Sequence, residues 1–343
     1  MKITITGGLG FIGSFFSKEF LKEGHHIQII DNFSRAGSEI NFNNIQKISD
    51  RAALKIIRFD ISRNPEALTP LLNGQDAIIH LASQVAVTSS ITNPRYDFES
   101  NILGTFNILE AIRMCQIKPA ILYSSTNKVY GTLDQITTIE KKERYDFADL
   151  PKGIDENCPL NFHSPYGCSK GAAEQYILDY SRTYNIKSTV FRQSCIYGPG
   201  QFGIEDQGWA AWMTIASVLK KEITVFGNGK QVRDLLHVKD LFNVYKSALS
   251  HINLISGQAF NVGGGVQNSR SLIEFLRELS NLLTRKIDYK FADSRIGDQK
   301  IFISDNSKAN SILHWHPQIS FQEGLKDLYQ WTSQNIETIK NLI

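Results

Sequence analysis

Hydrophobic residues in the first half of the chain fall into two alternating patterns. Short runs that are apolar throughout indicate buried strands, and longer segments with apolar residues at helical spacing indicate helices. Predicted strands cover 2–6, 27–30, 54–59, 77–81, 120–124 and 188–192, and predicted helices cover 12–23, 97–115 and 166–184. Strands that lack a polar face and alternate with helices belong to a parallel sheet covered on both sides. Because such crossovers are right-handed, the pattern predicts a doubly wound α/β fold.

The rhythm changes after residue 192. Loops rich in Gly, Gln and Asn, at 198–208, 227–231 and 263–268, separate predicted helices at 209–220, 239–250 and 271–283. We interpret this half as a second, smaller α/β substrate lobe interleaved with the first domain. The predicted division is 1–192 with 236–262 against 193–235 with 263–343. The polar segment 131–162 has no clear period and is predicted to be a long loop near the site.

Composition narrows the class of protein. The chain has 343 residues, of which 42% are apolar and 21% charged, and its formal net charge is +3. Without a dense Lys/Arg tract, these values give no reason to expect binding to nucleic acid. No apolar run approaches the roughly 18 residues that span a bilayer, and the first residues lack a signal-peptide pattern. The four cysteines show no CxxC spacing, so we expect unpaired thiols, a cytoplasmic protein and no metal site.

Three glycines lie between the first strand and the first helix. Gly7, Gly10 and Gly13 are spaced to allow a tight turn, close approach of a pyrophosphate and close packing of helix on strand. Phe11 and Ile12 then open the helix, whose N-terminal N–H groups attract phosphate. The alternative is a plain strand–helix turn. The strand before and the helix after favour a dinucleotide site in a Rossmann domain.

An acidic residue at the end of the second strand selects the dinucleotide. Asp31 follows Gly7 by 24 residues, near the spacing of a carboxylate that binds a ribose 2′-hydroxyl, so NAD is predicted over NADP. Arg35 argues the other way unless it is a solvated loop charge. Asp60 either contacts the adenine or caps the turn that follows it. Further residues predicted at the cofactor are Asn32, Ile61, Leu81, Ala82, Ser83, Asn101 and Ser124.

Tyr166 and Lys170 are four residues apart on a predicted helix, so both side chains lie on one face. A tyrosine base needs a pKa below its usual value of about 10, and we expect the lysine ammonium and a nicotinamide ring to favour the phenolate. Such a tyrosine could take a proton from a sugar hydroxyl while the carbon loses hydride. Ser124, Ser125 and Thr126, at the end of the fifth strand, are the candidates to share that proton.

Together these motifs resemble those of the extended short-chain dehydrogenase/reductase family over nearly the whole chain. The stretches that carry the resemblance are T-G-G-L-G-F-I-G at 6–13, D-N-F-S at 31–34, S-S-T-N-K-V-Y-G at 124–131, S-P-Y-G-C-S-K at 164–170, Y-G-P at 197–199 and G-N-G-K-Q-V-R-D-L-L-H-V-K-D at 227–240. The resemblance implies that Thr126 is the catalytic hydroxyl, with Tyr166 as base and Lys170 as its partner. It also implies a nucleotide-diphospho-sugar substrate and a homodimer or homotetramer built on the helices 97–115 and 166–184.

Residues after Thr126 narrow the reaction within that family. Family dehydratases carry Asp-Glu there, whereas this chain has Asn127 and Lys128, so elimination is not expected and substrate contact is. The stretches N-P-R-Y-D-F-E at 93–99, N-F-H at 161–163 and D-Q-G-W at 206–209 are similar to the branch that epimerises CDP-sugars at C2′, such as CDP-paratose to CDP-tyvelose in lipopolysaccharide biosynthesis. Alternatives that remain are a 4-epimerase of UDP-hexoses, a reductase with net turnover of cofactor, and a non-catalytic dinucleotide sensor.

Substrate contacts in the second lobe are implied by the same resemblance. Arg233 and Arg295 match positions that bind the diphosphate and ribose, and an arginine fork suits phosphate oxygens. Gln207 is predicted to contact the substrate as well. Cys195 stands where the wider family often has a diphosphate-binding Asn, which leaves that contact in doubt. His80, at the end of the fourth strand, is interpreted as a core histidine with satisfied hydrogen bonds.

Overall fold

The computed structural model describes residues 1–48, 52–295 and 297–342. Two compact units can be separated in it, the first made of 1–126, 164–192 and 245–260 and the second of 127–163, 193–244 and 261–343. Each unit has its own sheet and its own buried apolar cluster.

A seven-stranded sheet is the centre of the first unit. Its strand order is β12-β8-β5-β4-β1-β2-β3, and the pairs β1–β2, β1–β4, β2–β3 and β4–β5 are parallel. The strands are β1 (Lys2–Thr6), β2 (His26–Asp31), β3 (Leu54–Arg58), β4 (Ala77–His80), β5 (Ala120–Thr126), β8 (Ser188–Gln193) and β12 (Gln258–Val262). The order reverses between β1 and β4, which is where doubly wound sheets hold a ligand. The predicted doubly wound α/β fold is confirmed.

Helices flank these strands. They are α1 (Phe11–Lys22), α2 (Ser38–Ile48), α3 (Pro65–Leu72), α4 (Val87–Thr92), α5 (Pro94–Phe98), α6 (Gly104–Met114), α7 (Ser164–Tyr184) and α9 (Val238–Ile255). The predicted helix 97–115 is not uniform, because residues Glu99–Leu103 form a π-helical turn between α5 and α6. Helix α7 begins at Ser164, whose hydroxyl oxygen accepts the Gly167 N–H at 3.2 Å.

Shorter strands and helices make up the second unit. Its elements are β6 (Thr138–Glu140), β7 (Tyr145–Phe147), β9 (Cys195–Tyr197), α8 (Trp209–Leu219), β10 (Ile223–Phe226), β11 (Val232–His237), β13 (Ser269–Ser271), α10 (Leu272–Leu283), β14 (Tyr289–Ala292), β15 (Ile301–Phe302), α11 (Ser307–Leu313), α12 (Phe321–Gln334) and α13 (Ile336–Lys340). Strand β11 pairs with β9, β13 and β15, and β10 pairs with β14. A 3₁₀ turn, Asn127–Tyr130, follows β5 directly.

The segment 131–162 differs from the structureless loop predicted for it. Strands β6 and β7 pair antiparallel within it, so that prediction is wrong. Around this hairpin the segment buries Leu133 and Ile154 in a cluster with Val129, Tyr130 and Phe302. This packing puts residues 127–163 in the second unit, whereas the predicted division put them in the first. A polar sequence with few apolar anchors concealed the hairpin, because those anchors are spread over 30 residues instead of a regular period.

Candidate functional site

The glycine turn after β1 is shaped by contacts that exclude side chains. Gly7 has φ +68°, and a Cβ there would lie 2.7 Å from the backbone nitrogen of Ala82. A Cβ on Gly13 would lie 2.3 Å from the Gly7 oxygen, so the third glycine is required for packing of the turn on itself. On Gly10 the nearest atom would be 3.3 Å away, and this residue precedes Phe11 and Ile12, the first two residues of α1. The open side of Gly10 and the unpaired N–H groups of a helix N-terminus fit a pyrophosphate.

Carboxylates at the ends of β2 and β3 lie beside this turn. Asp31 is 8% exposed, and its two oxygens accept the N–H groups of Leu9 at 2.9 Å and Phe33 at 2.8 Å. Burial raises the pKa of Asp31, although these two bonds act against it. Asn32 donates to Asp60 at 3.1 Å. These carboxylates therefore keep accepting capacity for hydroxyl or amine donors while the turn holds them in place.

Asp60 itself shows the capping geometry that was its alternative interpretation. One oxygen accepts the N–H of Ser62 at 3.0 Å and its hydroxyl at 2.7 Å. Burial raises the pKa of Asp60, but the Ser62 and Asn32 bonds outweigh it and the pKa lies below its usual value. The neighbouring Ile61 is 6% exposed and belongs to the core cluster, so its side chain is not at the site. Only its backbone could serve the predicted cofactor contact.

Residues after β4 form the opposite edge of the same turn. Leu81 donates its N–H to the Thr6 carbonyl at 3.1 Å, and Ala82 donates to the Thr6 hydroxyl at 3.3 Å. The Ser83 hydroxyl donates to the side-chain oxygen of Asn101 at 2.9 Å. Asn101 is 1% exposed inside the π-helical turn, and protein atoms take its side-chain oxygen and amide alike. Its role in the structure is to hold other residues.

The predicted catalytic side chains converge at the end of β5. Tyr166 and Lys170 lie on α7, and Thr126 is the last residue of β5. The side chains of Thr126 and Tyr166 are hydrogen-bonded. The ammonium of Lys170 donates to the carbonyl of Ser124 at 2.5 Å and lies 4.4 Å from the centre of the Tyr123 ring. Of the three candidate hydroxyls, Thr126 is therefore the one bonded to the tyrosine.

Burial dominates the ionisation of this cluster. It raises the pKa of Tyr166 to about 12, with the Thr126 hydrogen bond acting in the opposite direction. It also lowers the pKa of Lys170 to about 7, although the carboxylates of Asp97 and Glu174 raise it. The expectation that the lysine brings the tyrosine pKa below its usual value is therefore wrong for the protein's own groups. Desolvation opposes charge on both residues.

Ser125, the third candidate hydroxyl, has a different partner. It donates to Glu174 Oε2 at 2.7 Å, and Glu174 Oε1 accepts Arg192 Nε at 2.9 Å and Nη2 at 2.6 Å. The glutamate side chain is 0% exposed and the arginine side chain 7%. This buried ion pair joins β5, α7 and β8 next to the catalytic side chains. The sequence interpretation missed it, although an acid four residues after Lys170 on the same helix was the available signal.

In the second unit, two cations meet at one carboxylate. Arg233 Nη2 lies 2.5 Å from Asp298 Oδ1, and Lys128 Nζ lies 3.7 Å from the same oxygen. Burial, together with the arginine charge, lowers the pKa of Lys128 to about 8, while Asp298 raises it. Asp298 was not among the predicted site residues. The signal for it is the acid three residues after Arg295.

The other predicted substrate residues of the second unit lie in two places. Arg295 Nη2 is 3.0 Å from Asp206 Oδ1, and its guanidinium carbon lies 3.9 Å from the centre of the Phe226 ring. Gln207, next along the chain, exchanges backbone hydrogen bonds with Ile204. Asn127 is 7% exposed in the 3₁₀ turn, directly before Lys128.

Cys195 lies beside the cation cluster of the second unit. Burial raises the pKa of its thiol to about 12, although the charges of Arg233 and Lys128 act to lower it. The thiol is therefore neutral at pH 7 and cannot act as a nucleophile there. It replaces the amide found at this position in much of the wider family by a small apolar group.

Two searches of the described chain bear on other kinds of site. Over residues 1–48, 52–295 and 297–342, no three His, Cys, Asp or Glu residues are grouped so as to hold a metal ion. In the same residues no helix is both long and apolar enough to cross a bilayer.

Comparison with known families and sequences gives consistent matches. The profile of the GDP-mannose 4,6 dehydratase family matches residues 4–328. CDP-paratose 2-epimerase from Salmonella typhi is 43% identical over 342 residues, covering 97% of this chain and 99% of that protein. A putative UDP-glucose 4-epimerase from Methanocaldococcus jannaschii is 32% identical, covering 98% of this chain and all of that protein.

Solved structures give the same fold. UDP-glucuronic acid 4-epimerase from Bacillus cereus, crystallised with UDP-glucuronic acid and NAD, is 28% identical with a TM-score of 0.83 and covers 97% of this chain and 99% of that one. The dTDP-glucose 4,6-dehydratase DesIV from Streptomyces venezuelae, with NAD and TYD bound, is 25% identical with a TM-score of 0.85 over the full length of both chains.

Proposed function

Because the chain belongs to the GDP-mannose 4,6 dehydratase family of extended short-chain dehydrogenase/reductases, we propose that it is an NAD-dependent nucleotide-sugar epimerase that inverts C2′ of a CDP-sugar. The proposed reaction converts CDP-paratose to CDP-tyvelose through a transient 2-keto sugar. The observation that carries this choice is the 43% identity to a CDP-paratose 2-epimerase over nearly the full length of both chains. The family itself was predicted from the motifs, and that prediction is confirmed.

The first unit fits NAD. The turn at Gly7, Gly10 and Gly13 leaves backbone N–H groups and an open side for the pyrophosphate, and Asp31 offers carboxylate oxygens for the ribose hydroxyls. A carboxylate there would repel a 2′-phosphate, which favours NAD over NADP. When bound, NAD supplies a hydride acceptor and donor, and its positive nicotinamide ring adds charge that favours a phenolate.

Tyr166, Thr126 and Lys170 are the residues that we assign to proton transfer. The phenol oxygen of Tyr166 would take the proton of the C2′ hydroxyl and later return it, with the Thr126 hydroxyl bonded to the same oxygen atoms. Lys170 would hold the nicotinamide ribose and stabilise the phenolate. A base with a pKa of about 12 holds its own proton at pH 7. Added positive charge therefore controls when this tyrosine can act.

Residues after Thr126 favour epimerisation over elimination. Removing a hydroxyl needs an acid for the leaving oxygen and a base for the neighbouring carbon. Asn127 cannot transfer a proton in this way, and Lys128 lies against Asp298 in the cation cluster. Lys128, Arg233 and Arg295 are instead the groups that we assign to the substrate diphosphate and ribose, with Gln207 and Asn127 as further contacts. Asp298 then acts as their internal counterion.

The decisive experiment is turnover of a defined substrate by the purified full chain. Incubation with CDP-paratose in D₂O should give CDP-tyvelose without deuterium at C2′, because the hydrogen returns from bound cofactor instead of from solvent. Bulk NADH should not accumulate, since the reaction has no net redox change. Tyr166→Phe should lower kcat by about 100- to 10,000-fold while NAD still binds. Turnover of UDP-hexose at C4′ with none at C2′ of the CDP-sugar would overturn the assignment.

The second candidate function is a UDP-sugar 4-epimerase. It is supported by the 32% identity to a putative UDP-glucose 4-epimerase and by similarity to the UDP-glucuronic acid 4-epimerase structure. The same Tyr–Lys–Thr set serves both reactions, so substrate turnover separates them. Parallel incubations with CDP-, UDP-, GDP- and dTDP-sugars give that comparison directly.

We also propose that the chain forms a homodimer or homotetramer through α6 and α7. Exposed aromatic side chains on this part of the first unit include Phe98 at 52%, Tyr176 at 45% and Tyr184 at 38%. Aromatic residues exposed together are typical of an interface between subunits. Sedimentation velocity of the wild type and of Tyr176→Glu checks the proposal, since the charge should shift the protein toward monomer.

A further inference from the structure

One buried titratable side chain in the first unit takes no part in the proposed reaction. His80, the last residue of β4, is 1% exposed. Its Nδ1 lies 2.6 Å from the hydroxyl oxygen of Thr6, and its Nε2 lies 3.0 Å from that of Thr105. Both threonines are also buried. The ring is therefore held between two hydroxyl groups from different elements.

The number of protons in these bonds fixes the tautomer. The hydroxyl of Thr105 donates to the backbone carbonyl of Asn101 at 2.6 Å, and a carbonyl can only accept. Having used its proton, Thr105 must accept from His80, so Nε2 carries the hydrogen. Nδ1 is then unprotonated and accepts the proton of Thr6, whose oxygen also accepts the N–H of Ala82 at 3.3 Å. Each bond in the chain has a single possible direction.

Charge on the ring is opposed by its surroundings. Burial lowers the pKa of His80 to about 3, and the positive charge of Lys170 lowers it further. A second proton on the ring would also place a donor at Nδ1, where Thr6 already donates. The imidazole is thus neutral and serves as one acceptor and one donor.

The two ends of this chain reach the parts of the first unit that hold cofactor and catalytic residues. Thr6 is followed directly by Gly7, the first residue of the glycine turn. At the other end, the amide of Asn101 donates to the hydroxyl of Ser169 at 2.9 Å, and Ser169 precedes Lys170 on α7. The Thr105 bond also supplies a donor to the carbonyl of Asn101 inside the π-helical turn.

We propose that His80 is a positioning residue, a neutral Nε2-protonated imidazole whose directed hydrogen bonds keep the glycine turn in register with the π-helical turn and with the helix that carries Tyr166 and Lys170. Thr6 and Thr105 are its partners in this role. The inference deepens the proposed function and rests on it for the cofactor that the turn would hold. A core histidine without this role would fill the same space with no preference of tautomer or donor direction.

The tautomer gives a test that does not depend on catalysis. In the full chain labelled with [¹⁵N]histidine, the His80 resonances should show a neutral ring protonated at Nε2 and unchanged between pH 5 and pH 8. The spectrum of His80→Gln identifies the His80 signals among the eight histidines. A ring protonated at Nδ1, or an imidazolium at pH 7, would overturn the proposal.

Variants test the positioning itself, with affinity for NAD measured by calorimetry and kcat and KM by turnover. Thr6→Val should weaken NAD binding about tenfold, since a buried acceptor and a buried N–H lose their partner. Thr4→Val is the matched control: Thr4 is buried on the same strand and accepts from Gln28 at 3.1 Å, outside the chain, so NAD affinity should stay within about twofold. Equal effects of the two substitutions would contradict the role.

Substitution of the histidine itself adds a rescue experiment. Glutamine carries one acceptor and one donor on its end, whereas leucine carries neither. His80→Gln should therefore keep kcat and NAD affinity within a few-fold, and His80→Leu should lower kcat about tenfold or more with little change in KM. Equal behaviour of the two variants would overturn the proposal. If the wild type binds NAD and turns over no CDP-sugar, the proposed function fails while the tautomer and the NAD affinities still decide the role of His80.

Discussion

The buried ion pair between Glu174 and Arg192 allows a quantitative prediction. One carboxylate oxygen accepts two guanidinium N–H groups at 2.9 and 2.6 Å, and the other accepts the hydroxyl of Ser125. Arg192→Met would leave the Glu174 carboxylate, 0% exposed, without its cation. Breaking a buried pair in this way costs about 3–5 kcal/mol of the free energy of unfolding. That is a large part of the roughly 5–15 kcal/mol that holds a typical protein folded.

Removing both charges should cost much less than the two single losses together. In Glu174→Leu combined with Arg192→Met, no unpaired charge remains in the interior, and such replacements are often close to neutral. The double-mutant cycle should therefore show a coupling of about 2–4 kcal/mol between the two residues. Substitution of Ser125 by Ala removes only the hydroxyl bond to the carboxylate and should cost about 1.5–3 kcal/mol.

Urea denaturation followed by circular dichroism measures these values, because urea leaves the ion pair unscreened by salt. The matched control is Arg182→Met on the same helix. Arg182 pairs with Asp179 at 3.0 Å, but the side chains are 74% and 51% exposed. Such an exposed pair contributes about 0.3–0.5 kcal/mol. If Arg192→Met costs no more than Arg182→Met, or if the two buried substitutions are additive, the ion pair does not stabilise the fold as we argue.

Three further predictions concern ionisation and the glycine turn. His80 has a pKa of about 3 in the fold against 6.5 as the usual value, so the unfolded chain binds more protons between these limits and stability falls as the pH falls from 6.5 toward 3; His80→Gln should flatten this difference in urea midpoints measured across that range. Lys128, with a pKa of about 8, should lose affinity for CDP as its proton leaves above that pH, and Asp298→Asn should move the loss to lower pH because the carboxylate raises that pKa; calorimetric titration with CDP at several pH values checks it. Gly10→Ala should fold and lose affinity for NAD, whereas Gly13→Ala, whose Cβ would meet backbone at 2.3 Å, should lower the melting temperature; equal melting temperatures would contradict the packing argument.

Much of the first unit could be predicted because its signals are local. The strand–glycine turn–helix unit, the acid at the end of β2 and the Tyr–Lys spacing on α7 each need only a few consecutive residues, and the structure has each element within a few residues of the predicted bounds. The structure also brings together Thr126, Tyr166 and Lys170, while their catalytic roles stay a prediction.

Features that depend on distant residues could not be predicted. The π-helical turn at Glu99–Leu103 has no separate sequence period, and Asn101, predicted at the cofactor, is instead surrounded by partners from three other segments. The partnership of Asp298 with Lys128 joins positions 170 residues apart. The pKa of Tyr166 has the same character, because burial is a property of the folded unit and the four-residue spacing to Lys170 does not contain it.

Burial has one consistent effect across the catalytic cluster. It raises the pKa of Tyr166 and lowers the pKa values of Lys170 and His80, so all three shifts favour the neutral form. The buried charges of Glu174 and Arg192, by contrast, compensate each other. In such surroundings a single added charge acts through a low dielectric and changes a neighbouring pKa more than it would in water. A positive group placed beside the Tyr166 phenol therefore has strong control over its ionisation, which ties proton transfer at the proposed site to the binding of a positively charged ring.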